Sequence, residues 1–507
     1  MRSKNALNNL IAALSLSVIT AISGLILPKL FIMTYGSEIN GLISSIKQFL
    51  VYLALVEAGI GYASMAILYS PLKEKNYKAV NSILSATKTH YIKSGWIFLG
   101  LVLLLAVGYP YVVANQIPWN LSFFMVLALG ISGVAEFFLI GKYNVLLTAA
   151  QKGYIVSYIQ TGGLLLNIAA SVILILLETN PVLVQLIASC LFVLRFVFLK
   201  MYIAKNFKKI NYGEVPDNNA LNKKWDVLIH QIVSLVLANT PIIMITVFLG
   251  LKEVSVFSVY LLVHNMVIML LAVFMNGFQA IFGDIISERN KELLKANFHL
   301  YESLFYPLVS ITYVVVAILF LPFQSLYTQG FTDADYIRPE FAVLFVLIGV
   351  LHNVRVPSMS IMNAAGLYRE TRLSAIVEAV VGFVLSLIFV HVWGATGVLL
   401  AWLLAYSYRI LILIKQISKD YIYGSMNPTL KTIAFNTVFG VLTYILCTNV
   451  IDSNITNYID FILTGFLCTL MAAMSILLLN RLVYRQEYKM IKSKVMGVVI
   501  KRMPADQ

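Results

Sequence analysis

Residues 53–82 read LALVEAGIGYASMAILYSPLKEKNYKAVNS. The stretch is apolar as far as Tyr69, apart from one carboxylate, Glu57. It then meets Ser70-Pro71, and Lys73, Lys75 and Lys78 follow at once. An apolar run of about 20 residues spans the hydrocarbon core of a bilayer as a helix. Lysines gathered at one end of such a run mark its cytoplasmic side. The stretch therefore reads as a membrane span that ends in the cytoplasm and carries an embedded charge.

Runs of this kind recur from residue 6 to residue 483. The chain is 60% hydrophobic and 12% charged, whereas soluble domains carry about 25% charged residues. It is read as a polytopic membrane protein. The runs are too long for barrel strands and do not alternate apolar with polar, so the spans are helical. The first run, behind MRSKN, is longer than a signal-peptide core and is expected to stay as the first span.

Fourteen spans are expected, near 6–33, 41–69, 94–115, 121–149, 154–177, 181–204, 226–249, 255–284, 302–328, 339–365, 371–392, 396–416, 430–450 and 458–482. The charges agree with that number. Arg2, Lys4, the 73–93 loop, Lys152, the 205–224 loop, the 289–295 loop, Arg369, Arg372, the stretch from Lys415 to Lys431 and the tail all fall on one side. Only Lys252 and Arg338 fall on the other. Both termini are therefore expected in the cytoplasm. The net charge of +14 follows from these loops and implies no nucleic-acid partner. The tail RLVYRQEYKMIKSKVMGVVIKR, residues 481–502, suits either a helix on an anionic membrane surface or a partly ordered end.

The 205–224 loop is long and polar and falls between spans six and seven. A shift of 215 residues sets Glu38 on Glu253, Ala149-Ala150 on Ala364-Ala365 and Lys200 on Lys415, with Pro28 and Pro241 two residues off register. These matches suggest a duplication. The expected fold is an all-α integral membrane protein with 14 transmembrane helices: two six-helix lobes in a parallel pseudo-twofold repeat, plus a C-terminal helix pair. The expected parts are a lobe of 1–204, a linker of 205–225, a lobe of 226–418, an extra pair of 419–483 and a basic tail of 484–507. Repeat transporters bind substrate near mid-membrane, beside broken helices. Pro28, Pro241 and Pro357 are the expected breaks.

The loops leave Lys29, Lys47, Lys142, Arg195, Lys200, Arg355 and Arg409 inside the spans. A charge at mid-membrane costs roughly 2.5–3.5 kcal/mol on insertion scales, so most must face protein or water. Snorkelling from a helix end accounts for Lys200, and in part for Arg409 and Lys142. The clearly embedded acids are Glu57, Glu136 and Glu378. The interior is thus net positive and suits an anion, with Arg and Lys matched to phosphate. His352 and Arg355 lie three apart and share a helix face just before Pro357. Candidate coupling groups are Glu57, Glu136 and His264, with H+ or Na+ as the ion. Each has a structural alternative: Glu57 as partner of an embedded cation, His264 as an interhelical hydrogen bonder. Ala58-Gly59-Ile60-Gly61 allows close helix approach or a flexible point.

Cys190, Cys447 and Cys468 lie in apolar runs, with no CxxC and no Cys/His cluster. Neither a disulfide nor a metal site is indicated. No P-loop is present and no catalytic constellation, so no catalytic residue and no cofactor are expected.

LVEAGIG (55–61), ILYSPLKEKNYKAVNSILSATKTHY (67–91) and PKLFIMTYGSEINGL (28–42) resemble the polysaccharide flippases of the multidrug/oligosaccharidyl-lipid/polysaccharide exporter superfamily. That resemblance implies transport, not enzymatic turnover: an oligosaccharide on an undecaprenyl diphosphate carrier moves from the inner to the outer leaflet by alternating access. It implies membrane lipids and polysaccharide-assembly proteins as partners. Lys29 and Lys47 take the place of the family's cavity cations. Lys142, Arg195, His352 and Arg355 are candidates by charge, depth and spacing. The rivals are a multidrug/cation antiporter of the same superfamily, which calls for an acidic cavity and typically twelve spans, and a membrane enzyme or assembly protein of the glycan pathway.

Overall fold

The computed structural model describes residues 2–57, 59–216, 225–451 and 455–483. The tail of 484–507, with its expected surface helix, lies outside them, as do Ala58 and the linker residues 217–224. The regular structure of the described residues is helical. In chain order the helices are α1 (Arg2–Tyr35), α2 (Ser37–Leu53), α3 (Ile60–Glu74), α4 (Tyr77–Val112), α5 (Trp119–Ala135), α6 (Gly141–Ala149), α7 (Gly153–Leu176) and α8 (Pro181–Asn206). There follow α9 (Trp225–Phe248), α10 (Leu251–Ser287), α11 (Lys291–Tyr327), α12 (Pro339–Val354), α13 (Val356–Ala365), α14 (Tyr368–Ile414), α15 (Asn427–Val450) and α16 (Tyr458–Val483).

Thirteen of the helical segments among the described residues are long and apolar enough to cross a membrane. The difference from fourteen lies at Tyr368–Tyr423, a single segment of 56 residues. Gly394 interrupts it with φ 58° and ψ −139°, a backbone conformation open to glycine. Beyond it the chain doubles back, so that a Cβ on Gly397 would lie 2.2 Å from the Phe389 carbonyl oxygen. The sequence reading places the turn between spans eleven and twelve at this point.

Other boundaries differ from expectation. The second span does not run unbroken from 41 to 69. It ends as α2 at Leu53, passes through a 3-10 turn at Ala54–Glu57, and restarts as α3 behind Gly59, whose φ is 89°. Pro71 does not stop α3, which continues to Glu74. Most of the expected 73–93 loop is helix. Asn76 caps α4 by accepting from the Ala79 N–H (3.1 Å). The 36 residues of α4 extend about 54 Å, well beyond a hydrocarbon core of ~30 Å. Pro28 and Pro241 lie inside the continuous helices α1 and α9. Neighbouring helices satisfy the groups a proline frees in a membrane helix. Only the break expected near Pro357 is present, at Arg355 between α12 and α13.

The chain forms two compact units. The first comprises Met1–Leu262, Gly330–Asp335 and Gly382–Val398; the second comprises Val263–Gln329, Tyr336–Val381 and Leu399–Gln507. In the first unit, α1 packs on α7, α5 on α8, and α2 on α9. In the second, α11 packs against α12, α15 and α16, so the C-terminal pair is built onto this helix.

Within the first unit, positions that are equivalent under the 215-residue shift touch each other. The Asn40 side-chain amide donates to the Ser255 hydroxyl (2.8 Å). Beside them Lys252 pairs with Glu38 at 3.6 Å. Direct contact between equivalent positions is what a twofold relation produces near its axis. The approach is close: a Cβ on Gly41 would lie 1.9 Å from the Leu251 carbonyl oxygen, which is backbone and has little room to yield. Gly41→Ala is expected to destabilise the unit by about 1–3 kcal/mol, the usual penalty for overpacking. The thermal midpoint of the purified protein in detergent reads this out.

Candidate functional site

The helices are irregular where the embedded charges sit. In the first unit, Glu57 closes the 3-10 turn. Its carboxylate accepts from the Tyr91 hydroxyl (2.6 Å) and the Gly61 N–H (3.2 Å). It is therefore held by neutral donors, not by an embedded cation as the structural reading of the sequence had it. Glu136 opens a π-helical turn, Glu136–Ile140, between α5 and α6. Such turns often mark functional positions. Glu136 accepts from the Asn144 amide (2.8 Å) and pairs with Arg195 of α8 at 3.5 Å. The Arg195 guanidinium stacks 3.4 Å from the Phe192 ring centroid.

The second unit repeats this pattern. Arg355, at the break between α12 and α13, donates to Glu378 (3.0 Å), and Arg409 reaches the same carboxylate at 3.5 Å. Arg409 also donates to the Thr371 carbonyl (3.2 Å) and the Ser374 hydroxyl. It is buried in a network and does not snorkel, because the break and the α14 helices surround it with acceptors. Arg355 lies over the Tyr406 ring (4.3 Å) and meets His352 Nδ1 at 3.1 Å, so the expected shared face is present. Under the 215-residue shift, 136–140 fall on 351–355, and Arg195 falls one residue beyond Arg409. Each unit therefore holds an Arg–Glu contact beside an interruption of equivalent helices, half-buried in the first unit and buried in the second. His264 is buried against Phe345 and Trp402 and hydrogen-bonds the Phe345 backbone.

Lys47 differs from all of these. It lies ten residues into α2, about 15 Å from the helix start, and is exposed onto a cavity of about 310 Å3 inside the first unit. The walls come from α1, α2, α5, α7 and α8. Polar groups stud them: Asn40 and Ser44 beside Lys47, Ser132, Asn167 and Ser171, and Gln185 and Ser189. Lys47 makes no hydrogen bond or ion pair with any described residue. Phe192, whose ring carries Arg195, also lines the cavity. Lys29, Lys142 and Arg195 are not on its lining, although Pro28 beside Lys29 is. Of the six candidate binding cations and partners, one thus faces this cavity directly. Arg195 and Arg355 are engaged by carboxylates, His352 by Arg355, and Lys142 by aromatic rings.

The sequence reading missed Tyr91 and Asn144 as carboxylate partners, and it missed the polar walls. A signal for the walls was present. Asn167 and Ser171, and Gln185 and Ser189, are four apart on otherwise apolar helices, which places each pair on one face.

No protein-family model matches the chain, and no curated protein does. Solved structures do match. An inward-facing multidrug resistance MATE family transporter of the MOP superfamily aligns with 85% of this chain and 98% of its own, at TM-score 0.61 and 13% identity. MATE in a bent conformation aligns with 85% and 97%, at TM-score 0.58 and 14% identity. The lipid II flippase MurJ, inward closed, aligns with 94% and 99%, at TM-score 0.65 and 16% identity.

This chain has the MOP transporter fold.

Its many long apolar helices make it a multi-pass membrane protein. At these identities the likeness is one of fold, so the side chains of this MOP-fold chain carry their own argument. The cavity beside Lys47 and the interrupted helices are that argument.

Proposed function

We propose that this protein is a flippase for an undecaprenyl-diphosphate-linked oligosaccharide, moving it from the cytoplasmic to the outer leaflet for cell-surface polysaccharide synthesis. The observation that carries the reading is Lys47: an unpaired cation at mid-depth on a polar cavity. An embedded charge with no protein partner is costly and is retained where an anion meets it. A diphosphate head cannot enter hydrocarbon without losing its hydration. The cavity volume falls at the lower end of the ~300–1,000 Å3 typical of ligand pockets, which suits the diphosphate and its nearest sugar. The isoprenoid tail stays in the bilayer. The lobes of 1–204 and 226–418 alternate between inward-open and outward-open states, with both termini in the cytoplasm of a bacterial inner membrane. Glu57 and Glu136 are the proposed coupling groups, for H+ or Na+.

The flippase reading draws on the unpaired Lys47 and its polar cavity. The antiporter reading draws on the same fold and on Glu57 and Glu136, which lie close enough to interact electrostatically. Deleting the gene in its native organism separates the two. Lipid-linked glycan is expected to accumulate on the cytoplasmic leaflet. Normal glycan export together with altered resistance to cationic drugs would overturn the flippase reading.

A further inference from the structure

Lys142 lies off the Lys47 cavity and belongs to another cluster. Its Nζ sits 5.1 Å from the Tyr143 ring centroid and 5.8 Å from that of Tyr212. Lys200 Nζ lies 5.7 Å from Phe196. Tyr143 stacks on Phe196 at 6.0 Å and meets Tyr212 edge-on at 5.7 Å. Lys88 of α4 and Lys200 of α8 are close enough to Lys142 of α6 to repel it. None of the three forms an ion pair with a described residue. Three helices therefore bring like charges together with no acid to offset them.

The fold holds this arrangement in place. The segment after α8 is strapped to α4: Asn81 donates to the Lys209 carbonyl (3.2 Å) and accepts from the Asn211 N–H (3.0 Å), and Ser85 donates to the Tyr212 carbonyl (2.8 Å). The strap fixes Tyr212 against Tyr143 and Lys142. The Tyr212 hydroxyl is buried and has no hydrogen-bond partner among the described residues. Burial, with Tyr143 beside it, pushes this phenol well up from its ordinary value, so it remains an O–H donor. Lys200 is six residues from the end of α8, about 9 Å along the helix.

We propose that Lys88, Lys142, Lys200 and the Tyr212 hydroxyl form a binding site for a phosphate-bearing headgroup, separate from the Lys47 cavity. Ammonium groups bind phosphate as point charges, the aromatic walls limit their hydration, and the orphaned hydroxyl supplies a further donor. The site does not depend on what the Lys47 cavity carries.

The test uses the full chain in nanodiscs of phosphatidylcholine doped with either phosphatidylglycerol or an isoprenyl diphosphate. Retained lipid is counted by native mass spectrometry. Joint replacement Lys88→Gln, Lys142→Gln and Lys200→Gln is expected to lower retention of the anionic lipid about tenfold, the scale of one lost charge-assisted contact. Arginine at the same positions should keep it. Tyr212→Phe, which preserves the ring packing, should weaken it severalfold. Inorganic pyrophosphate distinguishes the sources. Displacement of bound lipid shows that the phosphate group alone is read, and lipid retention unaffected by pyrophosphate assigns the site to a bilayer headgroup. Two results overturn the proposal: equal retention by the triple glutamine variant, or an equal loss when Lys73, Lys75 and Lys78 are changed to Gln instead, which would make the effect one of general basic surface.

Discussion

Glu378→Ala is expected to destabilise the second unit by about 3–5 kcal/mol, the usual result of removing one partner from a buried ion pair. The carboxylate is 4% exposed and lies between two guanidinium groups, those of Arg355 and Arg409, themselves 12% and 5% exposed. Without it both positive charges remain buried and repel each other. Arg409 keeps its bonds to the Thr371 carbonyl and the Ser374 hydroxyl, but neither carries charge. Typical proteins have a margin of only about 5–15 kcal/mol, so the variant should give a low folded yield and a much reduced thermal midpoint in detergent. Glu378→Gln should be milder, since an amide oxygen still accepts. Adding Arg409→Met to Glu378→Ala should recover part of the loss by removing one unmatched charge. An unchanged midpoint for Glu378→Ala would mean that the cluster does not hold the α12–α13 break in place. Arg355→Ala should be milder, because Arg409 still pairs with Glu378 and no charge is left unmatched.

Lys47→Gln should behave in the opposite way. Lys47 has no partner among the described residues, so its removal should change stability by no more than about 0.5 kcal/mol, as for substitutions away from packed or paired groups. Its effect should appear in transport. A charge-assisted hydrogen bond to phosphate is worth roughly 1.5–3 kcal/mol, or about 10- to 150-fold in affinity. Glycan export should fall by that order at an unchanged protein level. Lys47→Arg should retain most of it, because both ends of the comparison keep the charge. Full export by Lys47→Gln would remove the residue from the site.

Much of this fold was legible because hydrophobic run length and basic-residue bias answer to the bilayer alone. Lys47 was legible only as one of seven embedded cations; its depth and its lack of a partner come from where α2 begins and from helix packing. The partners of Arg195, Arg355 and Arg409 were not legible, because they lie 59, 23 and 31 residues away in sequence and meet only through helix packing. The break behind Glu57 was ambiguous, since small residues serve both close packing and a change of backbone direction. Proline was a poor guide. Pro28 and Pro241 stay inside continuous helices, while Pro357 follows a true interruption, and the difference lies in the surrounding helices and not in the proline itself.

The most direct measurement places the purified protein in vesicles that carry a fluorescent undecaprenyl-diphosphate-linked sugar on both leaflets, with a membrane-impermeant quencher added outside. Vesicles with the wild-type chain should lose nearly all of the signal, and protein-free vesicles and those with Lys47→Gln about half. Equal quenching with and without the wild-type protein, or full quenching by Lys47→Gln, would contradict a headgroup passage lined by Lys47.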